Sequence, residues 1–456
     1  MIDLSRIVKA YDVRGTVPDQ LNEPVAEALG RAFVQTLRSR GEFAERVVTA
    51  HDMRESGPAL ASAFAAGVRA EGADVVEAGL GSTDLLYFAS GTLDLPGAMF
   101  TASHNPAQYN GIKLCKRGAK PVGQDSGLAE IRERAQAILE GRGEPPAGGR
   151  EGGIEQRGML DAYASYLRGL VDLTGIRPLT VVVDAGNGMG GYTVPAVLGD
   201  GLPLRIIPLY FELDGSFPNH EANPLEPANL VDLQAKVRET GADLGLAFDG
   251  DADRCFVVDE RGEAVSPSTI TAMVAVRELA KAPGATIIHN LITSRAVPEI
   301  VREHGGVAVR TRVGHSFIKA EMARTGAVFG GEHSAHYYFS EFWGADTGML
   351  AAMHTLALLG GQGAPLSALT KDYVRYADSG EINSTVADPA AKMAEIEAAY
   401  PVPVDRLDGI TLDFPDGSWV SVRPSNTEPL LRLNVEAPTA ERMAALRDAM
   451  LAVIRR

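Results

Sequence analysis

The sequence predicts an α/β protein with three similar α/β domains, whose sheets are mixed but mostly parallel, and a smaller C-terminal α+β domain. Two observations support this prediction. Short apolar runs alternate with longer helical stretches, and each of three successive blocks ends a short apolar run in a polar loop, which is typical of α/β folds. Residues 368–456 differ, because a hairpin signal, an alternating strand and an amphipathic helix follow one another there.

The strands of the three α/β domains are predicted from short, β-rich apolar runs. These runs are Arg46–Ala50, Asp74–Glu77 and Gly97–Thr101, then Leu179–Val183, Leu204–Tyr210 and Leu244–Phe248, then Thr286–His289, Val307–Thr311 and Ala327–Phe329. A Gly/Pro/Glu-rich stretch, Gly141–Gly153, is typical of a linker. We therefore expect domains at 1–150, 151–254, 255–367 and 368–456. Because ligands of such sheets gather beyond the carboxyl ends of the strands, we expect the three α/β domains to face one cleft.

The last domain is predicted from a different pattern. Ile410–Phe414 and Trp419–Val422 flank the turn signal Pro415–Ser418, which predicts a hairpin. A half-buried strand and then a helix follow, because apolar residues first alternate with polar ones and then recur on one helical face. The apolar positions are Leu431, Leu433 and Val435 in the strand and Met443, Leu446, Met450 and Val453 in the helix.

Composition excludes several classes of protein. The chain has 456 residues, of which 45% are hydrophobic and 22% charged, so disordered and fibrous classes are excluded. A net charge of −16 disfavours nucleic acid and anionic lipid as partners. The two cysteines, Cys115 and Cys255, do not make a disulfide framework, which favours a reducing cytoplasm. The N-terminus lacks a signal-like apolar segment, and no long apolar run predicts a membrane span.

The strongest chemical signal is the loop Asp249-Gly250-Asp251-Ala252-Asp253-Arg254, which follows the predicted strand Leu244–Phe248. Each pair of close carboxylates repels by about 1 kcal/mol in water and about 4 kcal/mol at an effective dielectric of about 20, which favours a bound cation. Oxygen ligands suit Mg²⁺ or Ca²⁺ better than zinc. An EF-hand is disfavoured because Arg254 stands where that loop requires Gly and because Cys255–Val258 predicts a strand. A solvated acidic turn is the alternative without a metal.

A second loop, Thr101-Ala102-Ser103-His104-Asn105-Pro106, begins at the end of the predicted strand Gly97–Thr101. A serine at such a junction is a candidate nucleophile, and a cap or turn is its structural alternative. No G-x-S-x-G elbow surrounds it, which disfavours an α/β-hydrolase. Lys113 follows nearby in the sequence as a candidate acid or base, with an ordinary exposed lysine as the alternative.

Two further loops carry polar groups. Gly330-Gly331-Glu332-His333-Ser334-Ala335-His336 is rich in glycine and polar residues, which favours hydrogen bonds to a polyol. Zinc is disfavoured there, since no cysteine is nearby and no H-E-x-x-H helix is present. Arg423-Pro424-Ser425-Asn426-Thr427-Glu428-Pro429 joins two predicted strands. Its arginine, hydroxyl, amide and backbone N–H donors suit a phosphate group.

One motif points to a different function. The segment Gly186-Asn187-Gly188-Met189-Gly190-Gly191 fits G-x-G-x-x-G after the predicted strand Leu179–Val183. Alone it predicts dinucleotide binding and a nicotinamide-dependent oxidoreductase. However, Asp184 would place a negative charge near the pyrophosphate, and this reading leaves the acidic, serine and arginine loops unexplained.

Together, in this order, the four loops resemble the α-D-phosphohexomutase superfamily, most closely its bacterial phosphomannomutase/phosphoglucomutase members. The resemblance runs from Lys9-Ala10-Tyr11-Asp12-Val13-Arg14-Gly15 to Arg423–Pro429 and covers nearly the whole chain. It implies three similar α/β domains and a smaller fourth domain around a central cleft. It also implies an isomerase that interconverts hexose 6-phosphate and hexose 1-phosphate, with Mg²⁺ as cofactor. The implied intermediate and activator is a hexose 1,6-bisphosphate, formed through a phosphoserine enzyme.

The resemblance also implies a role for each matching residue. Ser103 matches the phosphoserine, which with Asp249, Asp251 and Asp253 holds the metal. The other catalytic positions that match are Arg14, His104, Lys113, Arg254 and His315. The substrate-binding positions that match are Tyr11, Glu332, Ser334, His336, Arg423, Ser425, Asn426, Thr427 and Arg432. For Lys113 we expect a depressed pKa, which would let it accept a proton.

Two departures from the family pattern bear on specificity. Ile292 stands where some relatives carry a cleft lysine, so one cationic contact is expected to be missing. His333 stands where relatives that act on glucosamine phosphate more often carry Gln, which favours mannose or glucose as the sugar. We expect a small phosphosugar as the partner and a monomer or homodimer as the assembly. The alternatives are a phosphoglucosamine mutase, a Mg²⁺-dependent sugar phosphatase and a non-catalytic sugar-phosphate-binding protein.

Overall fold

The computed structural model describes residues 2–9, 11–145, 149–424 and 430–456. The chain divides into two compact units. The first comprises Met1–Val265 and Ser334–Ser367, and the second comprises Ser266–His333 and Ala368–Arg456. The boundaries of the four domains expected from the sequence stay predictions.

The first sheet lies in the N-terminal part of the first unit. Its strands are β1 (Val13–Thr16), β2 (Arg46–His51), β3 (Asp74–Leu80), β4 (Gly97–Phe100), β5 (Tyr109–Lys116), β6 (Lys120–Pro121) and β7 (Ile154–Gln156), in the order β1-β5-β4-β2-β3-β7 with β6 on β5. Strands β4, β2, β3 and β7 are parallel, whereas β1 and β5 pair antiparallel. The helices of this part are α1 (Glu23–Ser39), α2 (Gly57–Ala70), α3 (Thr83–Leu93) and α4 (Leu128–Leu139).

The second sheet repeats this arrangement. Its elements are α5 (Leu160–Leu170), β8 (Leu179–Asp184), α6 (Gly190–Leu198), β9 (Leu204–Leu209), α7 (Val231–Thr240), β10 (Leu244–Phe248), β11 (Cys255–Asp259) and β12 (Ala264–Val265). The strand order is β12-β11-β10-β8-β9, in which β9, β8 and β10 are parallel and β11 is antiparallel. The series β9-β8-β10-β11 therefore corresponds to β3-β2-β4-β5 of the first sheet.

The next stretch of chain crosses from the second unit back to the first. Its elements are α8 (Pro267–Lys281), β13 (Thr286–Asn290), α9 (Ala296–Glu303), β14 (Val307–Thr311), α10 (His315–Thr325), β15 (Phe329–Gly331), β16 (Tyr337–Phe339), β17 (Ala345–Asp346), α11 (Gly348–Gly360) and α12 (Leu366–Leu369). Strands β14, β13 and β15 are parallel in the second unit, and β16 and β17 form an antiparallel pair in the first.

The strand predicted at Ala327–Phe329 begins later than expected. Helix α10 ends at the left-handed residue Gly326, and the N–H of Ala327 still donates to the carbonyl of Met322. Because the helix cap uses these residues, β15 starts only at Phe329.

The C-terminal domain is the predicted α+β unit. Its elements are β18 (Ala377–Thr385), α13 (Pro389–Ala399), β19 (Val404–Asp405), β20 (Ile410–Asp413), β21 (Trp419–Pro424), β22 (Leu430–Ala437) and α14 (Ala440–Ile454). The sheet is antiparallel, in the order β18-β22-β21-β20-β19. The predicted hairpin turn is confirmed, because the N–H of Phe414 donates to the carbonyl of Ser418 at 2.9 Å. The fold class is therefore α/β with a smaller antiparallel C-terminal domain, as the sequence predicts.

The fold positions polar loops at the carboxyl ends of parallel strands. Strands β4 and β10 are entirely buried, and the serine loop and the acidic loop follow them directly. Both free cysteines are buried. None of the helices in the described part of the chain has the length and apolarity that a membrane span requires.

Candidate active site

Ser103 lies in the loop after β4, where its backbone adopts a positive φ of 48°. The residue is only 5% exposed. Its hydroxyl donates to Asp249 Oδ2 at 2.7 Å, and Asp249 directly follows β10. The serine loop and the acidic loop therefore meet at this hydroxyl.

Asp249, Asp251 and Asp253 form one cluster, in which a ligand atom of each lies within 4.8 Å of the other two. None of the three is more than 1% exposed. Lys113, on β5, donates from Nζ to Asp251 Oδ2 and to Asp253 Oδ2, both at 2.7 Å. The lysine and the three carboxylates are therefore one contiguous charged group.

The cluster shifts the pKa values of its members in opposite directions. Burial raises the pKa of Asp249 to about 7, against the opposing charge of Arg254. Burial alone would raise the pKa of Asp253, but Lys113 and His336 hold it well below its ordinary value. Burial alone would lower the pKa of Lys113, but Asp251 and Asp253 hold it well above its ordinary value. The expected depressed pKa of Lys113 is therefore wrong, because two buried carboxylates outweigh desolvation.

The oxygen atoms that the cluster offers as ligands fit a hard divalent cation. Asp251 Oδ1 and Asp253 Oδ1 are buried, and neither has a hydrogen-bond partner among the described residues. A buried charged oxygen without a donor is costly unless a cation or a proton reaches it. Carboxylate oxygens are the ligands that Mg²⁺ prefers in proteins, so these three aspartates are the residues that could hold it.

Arg254 and His104 connect the acidic loop to the serine loop. The buried Arg254 donates from Nε to Asp249 Oδ2 at 2.9 Å, and its Nη2 contacts His104 Nδ1. The same ring nitrogen lies 3.3 Å from Ser103 Oγ. Burial, with the charge of Arg254, holds the pKa of His104 well below its ordinary value, so the ring is neutral at pH 7.

Arg14 also reaches the serine loop, from β1. Its guanidinium donates to the carbonyl of Ala102 at 3.4 Å and to the side-chain oxygen of Asn105, while Asp12 accepts a further hydrogen bond at 2.6 Å. Five residues predicted for catalysis (Ser103, His104, Lys113, Arg14 and Arg254) are thus brought together in the first unit.

Arg54 was not predicted, although it holds the serine loop in place. It follows β2 and is 2% exposed. Its guanidinium donates to four backbone carbonyls at 2.6 to 2.9 Å, those of Ser103, Asn105, Pro106 and Tyr109. The signal that could have found it is its place in a polar segment after the predicted strand Arg46–Ala50, the same rule that identified the other loops.

Thr83 and Asp84, at the start of α3, were also missed. Thr83 donates to Asp251 twice, from its N–H to the carbonyl at 3.0 Å and from Oγ1 to Oδ2 at 2.5 Å. The buried Asp84 accepts hydrogen bonds from Tyr163 Oη and Thr347 Oγ1, both at 2.7 Å. Burial raises the pKa of Asp84 to about 6. Both residues follow β3, so the strand-end rule applies to them as well.

Close glycine contacts join three loops behind the cluster. A Cβ on Gly250 would lie 2.4 Å from the carbonyl oxygen of Ser103, and a Cβ on Gly188 would lie 2.6 Å from the carbonyl oxygen of Gly250. The N–H of Met189 donates to that same Gly250 carbonyl at 2.9 Å. The glycine-rich loop after β8 therefore supports the acidic loop.

The backbone hydrogen bonds of the G-x-G-x-x-G segment disfavour a dinucleotide there. A pyrophosphate would need free backbone N–H groups at this loop. Instead, Gly186 donates to Asp184 Oδ1 at 2.8 Å, Asn187 to the carbonyl of Tyr210 at 2.8 Å and Gly188 to the carbonyl of Ala185 at 2.7 Å. These donors are already used within the protein.

The predicted sugar loop is divided between the two units. In the first unit, Ser334 Oγ lies 3.3 Å from His336 Nδ1, and His336 Nε2 lies 3.4 Å from Asp253 Oδ1. His336 is therefore beside the acidic cluster. In the second unit, the buried Glu332 accepts a hydrogen bond from the N–H of Gly314 at 3.2 Å. His315 begins α10 directly after that glycine.

Two of the predicted phosphate contacts lie together in the second unit. Arg423 on β21 is paired with Arg432 on β22. Both guanidinium groups bind Glu381, Arg423 at 2.9 Å and Arg432 at 3.0 Å. Ser425, Asn426 and Thr427 lie outside the described residues.

Of three other positions singled out in the sequence, two lie in the second unit and one lies in the first. His333 Nδ1 lies 3.1 Å from Ser268 Oγ in the second unit. Ile292 is buried in the same unit. Tyr11 is partly exposed just before β1.

Models of one protein family match four consecutive segments of the chain. They are described as the α/β/α domains I, II and III and the C-terminal domain of phosphoglucomutase/phosphomannomutase, and they match residues 5–142, 161–262, 267–376 and 381–453. The order and placement of these segments agree with the three α/β regions and the antiparallel C-terminal domain seen in the structure.

Whole-chain relatives point the same way. The chain is 41% identical over 434 residues to a Xanthomonas campestris protein named "Phosphohexose mutases", with 94% of each chain covered. It is 37% identical over 439 residues to a phosphomannomutase of Escherichia coli K12, again with 94% of each covered. A crystal structure of a phosphoglucomutase/phosphomannomutase family protein from Burkholderia thailandensis matches with a TM-score of 0.89 at 34% identity, covering 100% of this chain and 98% of that one. The chain therefore belongs to the phosphoglucomutase/phosphomannomutase family and is an isomerase of this mutase type.

Proposed function

We propose that this chain is a phosphohexomutase that interconverts hexose 6-phosphate and hexose 1-phosphate, with mannose as the preferred sugar and glucose as a second one. The phosphoryl group passes through phosphorylated Ser103 and a hexose 1,6-bisphosphate. The observation that carries this proposal is the hydrogen bond of the buried Ser103 hydroxyl to Asp249, within the cluster of three aspartates. A monomer or homodimer in the cytoplasm is part of the proposal.

The main physical problem of this reaction is charge. A phosphoserine carries about −1.5 to −2 charges, and the substrate phosphate carries a similar charge. When bound at Asp249, Asp251 and Asp253, Mg²⁺ would supply positive charge beside the transferring phosphoryl group. Arg14 and Arg254 add fixed positive charge around Ser103, because both are already held there by hydrogen bonds.

Each half-reaction exchanges one phosphorus–oxygen bond for another. The bond between Ser103 Oγ and phosphorus breaks, a bond between a sugar oxygen and phosphorus forms, the sugar hydroxyl loses a proton, and Ser103 Oγ gains one. Protonated Lys113 serves in this proposal as a positive charge and as the acid that protonates Ser103 Oγ, and the amine so formed takes the proton that the sugar hydroxyl loses. Asp251 and Asp253 disfavour the neutral amine, so the lysine returns to its charged form. The neutral ring of His104 lies beside Ser103 without adding charge.

The remaining predicted residues serve the substrate. Glu332 and Ser334 are proposed to bind sugar hydroxyls, with Tyr11, His336 and His315 as further contacts. Arg423 and Arg432 are proposed to bind the non-reacting phosphate together with Ser425, Asn426 and Thr427. The pairing of both arginines on Glu381 supports this role, because two adjacent guanidinium groups match a phosphate well.

A comparative assay tests the activity. Protein phosphorylated on Ser103 is given mannose 1-phosphate, glucose 1-phosphate or glucosamine 1-phosphate with a trace of the corresponding bisphosphate, and isomer formation and free phosphate are both measured. We expect turnover that is fastest for mannose 1-phosphate. No turnover of any of the three would refute the proposal. Fastest turnover of glucosamine 1-phosphate would indicate a phosphoglucosamine mutase, and phosphate release exceeding isomer formation would indicate a phosphatase.

Two variants test the site itself. Ser103→Ala should abolish turnover and remove the phosphoryl group from the peptide that contains residue 103, as read by mass spectrometry. Asp251→Asn should weaken Mg²⁺ binding sharply, because it removes one carboxylate of the cluster. Asp200→Asn, at an exposed position, is the matched control and should change neither property.

A further inference from the structure

A second group of metal-ligating side chains lies beside the aspartate cluster and shares Asp253 with it. His336 Nε2 is 3.4 Å from Asp253 Oδ1 and 3.9 Å from Asp346 Oδ2. One ligand atom from each of the three residues lies within 4.8 Å of the other two. Both carboxylates are buried, and Asp346 has no role in the reaction proposed above.

We propose that Asp253, His336 and Asp346 form a second divalent-cation site, which selects a borderline metal ion such as Zn²⁺. Occupation of this site engages Asp253 and thereby weakens Mg²⁺ binding at the aspartate cluster. The existence of the second site is independent of the reaction, whereas its effect on Mg²⁺ rests on the proposed function.

The first support is an oxygen that lacks a donor. Asp253 Oδ1 is buried and has no hydrogen-bond partner in the described part of the chain, although it faces the imidazole. A tetrahedral ion with bonds of about 2.0 to 2.2 Å holds neighbouring ligand atoms about 3.3 to 3.6 Å apart. The distance from His336 Nε2 to Asp253 Oδ1 already has this value, and Asp346 Oδ2 lies 3.9 Å from the same nitrogen.

The second support is the orientation of His336. Ser334 Oγ lies 3.3 Å from Nδ1, so that nitrogen can hold the ring proton when a metal ion takes the place of the present contact between Nε2 and Asp253. Such a hydrogen bond at the other ring nitrogen is usual for metal-binding histidines. The backbone of His336 is also fixed, because it forms a β-bridge with Arg254, next to Asp253 in the chain.

The two sites differ in ligand chemistry and share the carboxylate of Asp253. The aspartate cluster offers oxygen alone and favours Mg²⁺, whereas an imidazole nitrogen favours Zn²⁺ and its neighbours in the transition series. Asp249, Asp251, Asp253 and Asp346 face the cations Lys113 and Arg254. Asp253 belongs to both groups, so an ion bound at one of them takes that carboxylate from the other. In the unphosphorylated protein, the two ions therefore exclude one another.

Metal titrations of the full, unphosphorylated, chelator-treated chain test this proposal. Isothermal titration with Zn²⁺ should give an affinity at least tenfold weaker for Asp346→Asn than for the unmodified chain, while Mg²⁺ affinity stays within twofold. Saturating Zn²⁺ should weaken Mg²⁺ binding at least tenfold in the unmodified chain but not in Asp346→Asn. Asp200→Asn should behave as the unmodified chain in both titrations.

A spectroscopic readout identifies the ligand. In a long-range ¹H–¹⁵N spectrum of the histidine rings, Zn²⁺ should shift one Nε2 signal, and that signal should be missing from His336→Gln. If Asp346→Asn does not fold, as judged by circular dichroism, the variant His336→Gln replaces it in the Zn²⁺ titration, because His336 is partly exposed and its replacement disturbs the core less.

Two results would overturn the second site. One is a Zn²⁺ affinity that neither variant changes, and the other is loss of Zn²⁺ binding in Asp251→Asn to the same extent as in Asp346→Asn. By contrast, an unchanged Mg²⁺ affinity in Asp251→Asn would contradict the magnesium site of the proposed function, and the Zn²⁺ titrations would still report on the second site.

Discussion

At the scale of single residues, the neutral side chain of Thr83 helps to orient the carboxylate of Asp251. Thr83 and Lys113 both donate to Asp251 Oδ2, at 2.5 and 2.7 Å. The other oxygen, Oδ1, is left buried without a partner among the residues described. Two donors on one oxygen therefore fix the carboxylate so that its second oxygen is available to a cation.

This arrangement predicts the effect of removing one hydroxyl. Thr83→Val keeps the shape of the side chain but loses the hydrogen bond to Asp251, so Mg²⁺ affinity should fall by about 10- to 100-fold, as for other residues that orient metal ligands. Isothermal titration measures this change. Thr83→Ser retains the hydroxyl and should bind Mg²⁺ within a few fold of the unmodified chain. Equal affinity in the valine variant would show that Lys113 alone orients Asp251.

Asp84 predicts a pH dependence of stability. Its pKa in the folded protein is raised to about 6 by burial, whereas in the unfolded chain it is about 3.9. The folded state thus binds the proton more tightly, so the stabilisation is complete below about pH 4 and is lost as pH rises through about 6. The loss amounts to about 2 to 3 kcal/mol.

The variant Asp84→Asn isolates this contribution. An asparagine can accept from Tyr163 and Thr347 and donate to Ser82, and it has no charge to bury. The free energy of unfolding of the variant, relative to the unmodified chain, should therefore rise by about 2 to 3 kcal/mol between pH 4 and pH 7. Denaturant unfolding at the two pH values measures it. If the difference in the free energy of unfolding between the variant and the unmodified chain does not change with pH, Asp84 ionises with an ordinary pKa.

The sequence predicted the charged residues of the site better than the residues that hold them. Ser103, the three aspartates and Arg254 stand out because their types and spacing have few structural explanations. Arg54 acts through backbone carbonyls of residues about fifty positions away, so its place after a predicted strand marks it as a candidate but does not reveal these contacts. For Lys113, no local pattern reveals that Asp251 and Asp253 contact the amine, and these two carboxylates raise its pKa where a lowered pKa was expected.

At the scale of elements, the loops after β4 and β10 touch through a glycine. A Cβ at Gly250 would lie 2.4 Å from the carbonyl oxygen of Ser103, which no real contact permits. Because both atoms belong to loops held from behind, by Arg54 and by Met189, neither backbone can retreat freely.

Gly250→Ala should therefore separate Ser103 from Asp249. We expect turnover to fall by at least tenfold, with a loss of about 1 to 3 kcal/mol in the free energy of unfolding. Steady-state kinetics and denaturant unfolding measure the two effects. Gly169→Ala is the matched control, since its Cβ would meet nothing within 4 Å on the exposed side of α5; it should leave turnover unchanged and stabilise the helix by up to about 1 kcal/mol.

Elements were predicted well where burial is complete. Strands β8, β10 and β13 are nearly or wholly buried, so their apolar runs are visible in the sequence. Strand β7 is exposed at all three positions, and β16 is only three residues long, so neither gave a signal. Edge strands and very short strands depend on pairing with their neighbours more than on their own composition.

At the scale of the whole molecule, the residues proposed to hold Mg²⁺ all belong to the first compact unit, Met1–Val265 with Ser334–Ser367. A ligand stabilises the part of a protein whose folded state it binds, by about 2.7 kcal/mol at a hundred times its dissociation constant. Mg²⁺ should therefore slow the opening of the first unit and leave the second unit unchanged.

Hydrogen exchange read by mass spectrometry tests this expectation. With saturating Mg²⁺, peptides containing β4, β5 and β10 should exchange more slowly, whereas peptides from β20 to β22 should exchange at the same rate. Asp251→Asn should show no slowing at any peptide. Equal slowing in both units would mean that they open together.

The four hydrogen bonds from Arg54 have a consequence for protein engineering. The conformation of the segment from Thr101 to Pro106 is imposed by a guanidinium group on the loop that follows β2. A hexapeptide copied from this chain and grafted onto a foreign scaffold would carry the nucleophile but lose its shape. Any minimal transplant must also include β2 and the loop after it, which carries Arg54.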